Sequence, residues 1–201
     1  VTLFMLALMP FLASLIALLF INEKISKQNF ISMTIAFIGA VIMIYASAFN
    51  GSLFGLIMGF ISSFGFAAFT VTLRSKNNFK KFYILIYAGI FCAIISFFLM
   101  IFNNQEIYLP SRNIFLSITH GFFVASGLIL YSIGSKKLLS GELTMLSLLE
   151  VVGGIFWTWL PILGINEIPD INTIVGGIVI CFAIGINSYR FDKKRLQNLI
   201  R

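Results

Sequence analysis

Glu150 is the side chain in this sequence best placed to do chemistry. It is the one ionisable residue in the apolar run Leu143–Gly164. As a helix that run would be about 33 Å long, enough to cross a bilayer core. A carboxylate inside such a span costs about 3 kcal/mol or more, so it should face other helices or a water-filled cavity. On a helical wheel Leu143, Ser147, Gly154, Trp157, Thr158 and Pro161 share its side, and Trp159 lies opposite. Glu150 therefore sits on a small, polar stripe, and the chemistry expected of it is to bind a proton or a cationic substrate. The competing structural role is a hydrogen bond to a neighbouring helix. The chain's single histidine, His120, belongs to a second stripe with Asn113, Ser117, Gly127 and Tyr131. An imidazole there either bonds a neighbouring helix or ligates substrate or proton. His120 lies roughly 10 Å in from one end of its span and Glu150 roughly 12 Å in from the other. The two need not touch and could line different parts of one central cavity, with Ser117, Tyr131, Ser147, Trp157 and Thr158 as further lining candidates.

Enzymatic chemistry is not expected. One His and widely spaced acids do not form a clustered catalytic set, and no Gly-rich phosphate cradle is present. Cys92 and Cys181 lie in separate apolar runs without CxxC or Cys/His spacing. They read as packing residues, with no disulfide, metal site or cofactor implied.

The elements that position these residues must be membrane helices. The chain is 59% hydrophobic and 10% charged, with a mean hydropathy of +1.01, whereas a soluble domain is about a quarter charged. Seven spans are expected: Val1–Ile21, Phe30–Phe49, Leu53–Leu73, Phe82–Phe102, Ile114–Gly134, Leu143–Gly164 and Ile171–Tyr189. The breaks between them are short and polar. If all seven cross, every Lys and Arg except Arg112 falls on one side, out of 14 in total. Positive residues collect on the cytoplasmic side. The start of the chain is then outside and the C-terminus is cytoplasmic, in a multi-pass protein of the cytoplasmic membrane. The net charge of +7 belongs to these loops and to a basic tail that anchors to anionic lipid, not to a nucleic-acid arm.

Small residues recur at four-residue spacing in three spans: Gly51, Gly55, Gly59, Ser63 and Ala67; Ser32, Ala36 and Ala40; Gly177, Cys181 and Gly185. Such stripes let helices approach closely in lipid and permit sliding. Trp157 and Trp159 lie toward the outer end of the sixth span, where interfacial aromatics are expected; Trp157, on the Glu150 side, is also a candidate for the cavity wall. Pro161 should bend that helix.

The first two spans and the last two are related. Each pair begins with an apolar run that ends in Ile-Asn-Glu, at Ile21–Glu23 and Ile165–Glu167. A short polar turn then leads to a glycine-bearing run. The charge rule puts Glu23 inside and Glu167 outside, so the copies cross in opposite directions. An inverted repeat of this kind is the architecture of many secondary transporters.

These residues resemble the EamA-type module of the drug/metabolite transporter superfamily. Pro10, Glu23 and Gly39 match the first copy. Leu149-Glu150, Trp157-x-Trp159, Glu167 and Gly176-Gly177 match the second. Val151 stands where that family usually has proline, and the interval from Trp159 to Glu167 is longer than usual. The resemblance implies an all-α polytopic membrane protein built from two inverted five-helix repeats, of which the seven helices here would be the fourth to the tenth. Residues 1–50 would close the first repeat, 51–190 would form the second, and 191–201 would be the cytoplasmic tail. Since the chain begins at Val1 and outside, three further helices are expected upstream. The implied function is secondary transport of a small organic metabolite or drug-like molecule by alternating access. Candidate partners are membrane lipid, the substrate, a coupling proton and a second copy of the chain. Pro10, Glu23 and Glu167 would be helix-end features. A seven-helix receptor or structural membrane protein is the alternative, but it leaves the repeat unexplained and offers no intramembrane lysine for a Schiff base.

Overall fold

Apolar runs of this length, starved of water, satisfy their backbone within themselves and become helices. In the computed structural model, which describes residues 5–45, 53–75, 81–104, 110–160 and 168–199, every regular element is a helix. They are α1 (Met9–Ile21), α2 (Lys27–Ile44), α3 (Leu53–Arg74), α4 (Lys81–Phe102), α5 (Ser111–Gly134), α6 (Ser140–Ser147), α7 (Leu149–Trp159) and α8 (Ile171–Leu199). Four segments among the described residues are long and apolar enough to cross a membrane: Leu53–Arg74, Tyr83–Phe102, Ser111–Gly134 and Ile171–Tyr189. Met9–Ile21 and Lys27–Met43 are apolar but shorter.

The four long segments correspond to the third, fourth, fifth and seventh expected spans; the first, second and sixth are shorter among the described residues, and the first and sixth are also interrupted. The sixth starts earlier, at Ser140, and is broken at Leu148 into α6 and α7. The first is broken at Ala7 and Leu8, so α1 begins at Met9 and Pro10 lies in its first turn.

Packing divides the chain into two units. One comprises Val1–Arg74 and Leu138–Arg201, the other Ser75–Lys137. This grouping places both Ile-Asn-Glu segments in the first unit. In the second unit α4 and α5 pack as a hairpin. Most of their side chains, many of them Phe and Ile, are exposed, as expected of helices whose apolar surface meets lipid or other apolar partners.

In the first unit the most extensive contact is α2 on α8. Ala36, Ala40 and Met43 meet Ile180, Ala183 and Ile184 in a core that also takes in Ala7, Met33, Met145 and Leu148. Gln28, at the start of α2, donates to the carbonyl of Ile186 midway along α8 (2.6 Å). Gly39 faces Gly176 at the crossing. The two helices are therefore antiparallel. Their backbones approach so closely that a Cβ on Gly39 would come within 2.9 Å of the Gly176 carbonyl oxygen. A Cβ on Gly176 would in turn overlap the Gly39 oxygen.

Ser32, Ala36 and Ala40 are buried as the spacing predicted, and so are Gly59, Ser63 and Ala67 of α3. The α8 stripe is only partly buried, at Gly177, while Cys181 and Gly185 are exposed. A Cβ on Gly177 or Gly185 would meet open space, while Gly176, Ile180 and Ala183 carry the contact.

Local chemistry fixes the helix ends. Asn22 stops α1 in the left-handed region at φ 55°, a conformation Asn tolerates better than most residues. Glu23 N–H then returns to the Ala17 carbonyl (3.1 Å). The Ser26 hydroxyl accepts from Asn29 N–H (3.1 Å) and caps α2. Ser26→Ala should lower stability by about 1 kcal/mol, read as the midpoint of detergent-induced unfolding followed by tryptophan fluorescence.

Candidate functional site

The α6–α7 stretch carries Ser147, Glu150, Trp157 and Thr158 in the first unit. Its break has a local cause. The hydroxyl of Thr144 donates to the Ser140 carbonyl (2.9 Å) and that of Ser147 to the Leu143 carbonyl (3.3 Å). Hydroxyls that bond back to the preceding turn compete with the helical ladder and bend it. Leu148 N–H then reaches the Met145 carbonyl (3.1 Å), and Val151 N–H reaches the Leu148 carbonyl (3.1 Å). Both are three-residue spacings, the tighter 3₁₀ pattern that interrupts an α-helix.

Glu150 falls in the first turn of the resumed helix α7. A carboxylate there interacts favourably with the positive end of the helix dipole. With Gly154 and Trp157 it forms an exposed face of α7. It makes no hydrogen bond or ion pair among the described residues. Ser147 and Thr158 are half-buried, and the Thr158 hydroxyl donates to the Ile155 carbonyl (3.0 Å). Leu143, placed by the wheel on the Glu150 side, is buried, because the break at Leu148 changes the phase between α6 and α7.

The other candidates lie elsewhere. Ser117, His120 and Tyr131 are on α5 of the second unit. Ser117 and His120 are exposed and Tyr131 is half-buried. Pro10 is buried in the first turn of α1. Glu167, with Pro161, lies outside the described residues. No group of His, Cys, Asp and Glu among the described residues could hold a metal ion.

The break before Pro10 repeats the geometry of the break before Glu150. Leu8 has φ −79° and ψ −17°, and Leu148 has φ −65° and ψ −17°. Leu8 N–H reaches the Met5 carbonyl (3.1 Å) just as Leu148 N–H reaches that of Met145. The Ser63 hydroxyl from α3 also lies 2.6 Å from the Met5 oxygen, so a neighbouring helix supports the interrupted backbone. The sequence carries a signal for this that the Ile-Asn-Glu comparison passes over. Residues 5–8 read Met-Leu-Ala-Leu and residues 145–148 read Met-Leu-Ser-Leu. In that register Glu150 stands where the first copy has Pro10. Each residue suits a helix start, Pro because it lacks an N–H and Glu because of its charge.

Glu23 has a defined setting. One carboxylate oxygen pairs with Arg74 Nε at the end of α3, and the other accepts from Ser140 N–H at the start of α6 (2.9 Å). Glu142 accepts from Leu139 N–H (3.1 Å). Two carboxylates thus satisfy N–H groups at the start of α6, which would otherwise lack partners. The end of α1 meets the start of α6, so these helices are also antiparallel.

No protein-family model, curated protein or solved structure matches this chain.

Proposed function

We propose that this protein is a secondary transporter of the EamA type, moving a small organic metabolite or drug-like molecule across the cytoplasmic membrane by alternating access. The observation that carries this reading is the interrupted helix α6–α7, which resumes at a glutamate without a described partner. Discontinuous helices at corresponding positions of two repeats are the strongest pointer to a transporter's binding site, and a second break of the same geometry precedes Pro10. The antiparallel pairings of α1 with α6 and of α2 with α8 support an inverted repeat, since each element meets its own counterpart.

The start of a half-helix ordinarily favours an anion. Glu150 offsets that positive pole, so the site suits a proton or an organic cation. Ser147, Trp157 and Thr158 supply polar and aromatic contacts along the same stretch. Ser117, His120 and Tyr131 are candidates for a separate contribution from α5. Glu167 and the cytoplasmic placement of the C-terminus belong to the same reading.

The test is flux into proteoliposomes under an imposed pH gradient, with a panel of labelled organic cations and neutral metabolites. Saturable accumulation that collapses with the gradient is expected for at least one cation. Flux equal to protein-free liposomes across the panel and in both gradient directions would remove proton-coupled transport as the reading.

A further inference from the structure

We infer that the Glu23 carboxylate is a latch that closes the inner end of the first unit, tying the ends of α1 and α3 to the start of α6. The proposal rests on the alternating-access reading. Both of its oxygens are engaged, one by Arg74 Nε and one by Ser140 N–H. The side chains of Glu23 and Arg74 are only 14% and 21% exposed, so water screens this pair less than a surface one. Asn22 sets the direction: its left-handed stop turns the chain at Glu23 off the axis of α1.

A latch needs a closed state that is only slightly favoured, and the neighbouring residues supply the opposing term. Beside the latch, Ser140 Oγ and Asn29 Oδ1 are buried and have no hydrogen-bond partner among the described residues. Asn29 packs near Gly141, where a Cβ would lie 3.2 Å from Asn29 Nδ2 and would overlap Ser14 Oγ and Met33 Cε. Buried polar atoms without partners are costly, and water entering an opened inner end would satisfy both. The ion pair holds the junction shut while the orphaned oxygens favour opening. Two discrete arrangements close in free energy are what a transporter switches between.

The experiment places a reporter at the junction. Ser140→Cys keeps the backbone N–H that Glu23 binds, in a background carrying Cys92→Ala and Cys181→Ala. A membrane-impermeant maleimide is applied to vesicles of either orientation, without substrate. In the parent the thiol should label slowly. Glu23→Gln keeps an acceptor for Ser140 N–H but removes the ion pair, and Arg74→Gln removes it from the other side. Each should speed labelling from the inner face roughly five- to tenfold, the population shift expected for loss of a half-buried pair. The double variant should match Arg74→Gln within about twofold, because the Glu23–Arg74 pair is already lost in that variant. Arg74→Lys, which keeps the cation, should stay within about twofold of the parent. Unchanged labelling in the single variants, a multiplicative double variant, or an equal rise with Arg74→Lys would each overturn the latch. Because no substrate is present, absent flux with this labelling pattern discards transport alone. Flux with latch-insensitive labelling discards the latch alone.

Discussion

Gly176→Ala should destabilise the protein by about 2–3 kcal/mol, the scale of forcing an extra methyl into a filled contact. Its new Cβ would overlap the Gly39 carbonyl oxygen and Met43 Cγ and lie 2.9 Å from Met43 N. Met43 Cγ belongs to a flexible side chain and can yield. The Gly39 oxygen and Met43 N are helix backbone and cannot move without separating α2 from α8. The control is the next residue. A Cβ at Gly177 meets nothing within 4 Å, so Gly177→Ala should stay within about 1 kcal/mol of the parent and gains from the better helix propensity of alanine. The measurement is the midpoint of detergent-induced unfolding, read from Trp157 and Trp159 fluorescence. Equal effects at the two positions would contradict the Gly39–Gly176 crossing as the closest contact of α2 with α8.

That pair of glycines also marks a limit of reading from sequence. A small-residue stripe on a wheel assumes one uniform helix and selects a face by spacing alone. For α2 and α3 the spacing is informative: Ser32, Ala36, Ala40, Gly59, Ser63 and Ala67 are buried, Gly55 is half-buried, and Gly51 lies outside the described residues. For α8 two adjacent glycines permit two registers about 100° apart. The four-residue pattern selects Gly177, Cys181 and Gly185, whereas the partner surface on α2 selects Gly176, Ile180 and Ala183. Which register holds depends on Gly39 and Met43, residues far away in the chain, and no local pattern contains that information.

The helix breaks show the same division. The apolar runs and the Ile-Asn-Glu ends are plain in the sequence, and Asn22 adopts the left-handed stop that its residue type permits. The interruptions at Leu8 and Leu148 are carried by apolar residues with good helix propensity, so hydropathy passes over them. Their causes are a hydroxyl bonding back along the helix, a neighbouring serine on Met5 and a proline two residues on. Only the recurrence of Met-Leu-small-Leu hints at them before the structure is seen. Glu150 stands out by its charge, but its place at the start of a half-helix follows from the break and was not visible from the wheel, which ran one phase across both halves.

Glu150→Gln should abolish gradient-driven accumulation while leaving the fold intact. Glutamine keeps the size and the hydrogen-bonding capacity at the first turn of α7 but loses the charge. Glu150 has no described ion-pair partner, so its removal breaks no structural pair, and the unfolding midpoint should move by no more than about 0.5 kcal/mol. Binding should suffer far more. Removing one member of a desolvated charge pair costs about 2–3 kcal/mol, roughly a 30- to 150-fold loss of affinity for a cationic substrate. A residual flux in the variant should no longer respond to an imposed pH gradient, because the carboxylate proposed to carry the proton is gone. His120→Gln separates the two stripes: if α5 only braces the helices, flux falls in step with stability, and if His120 ligates substrate, KM rises with the midpoint unchanged. Glu150 as ligand would be abandoned if Glu150→Gln kept parental flux and gradient dependence. The carboxylate would then be serving the helix start alone, as Pro10 does in the first copy.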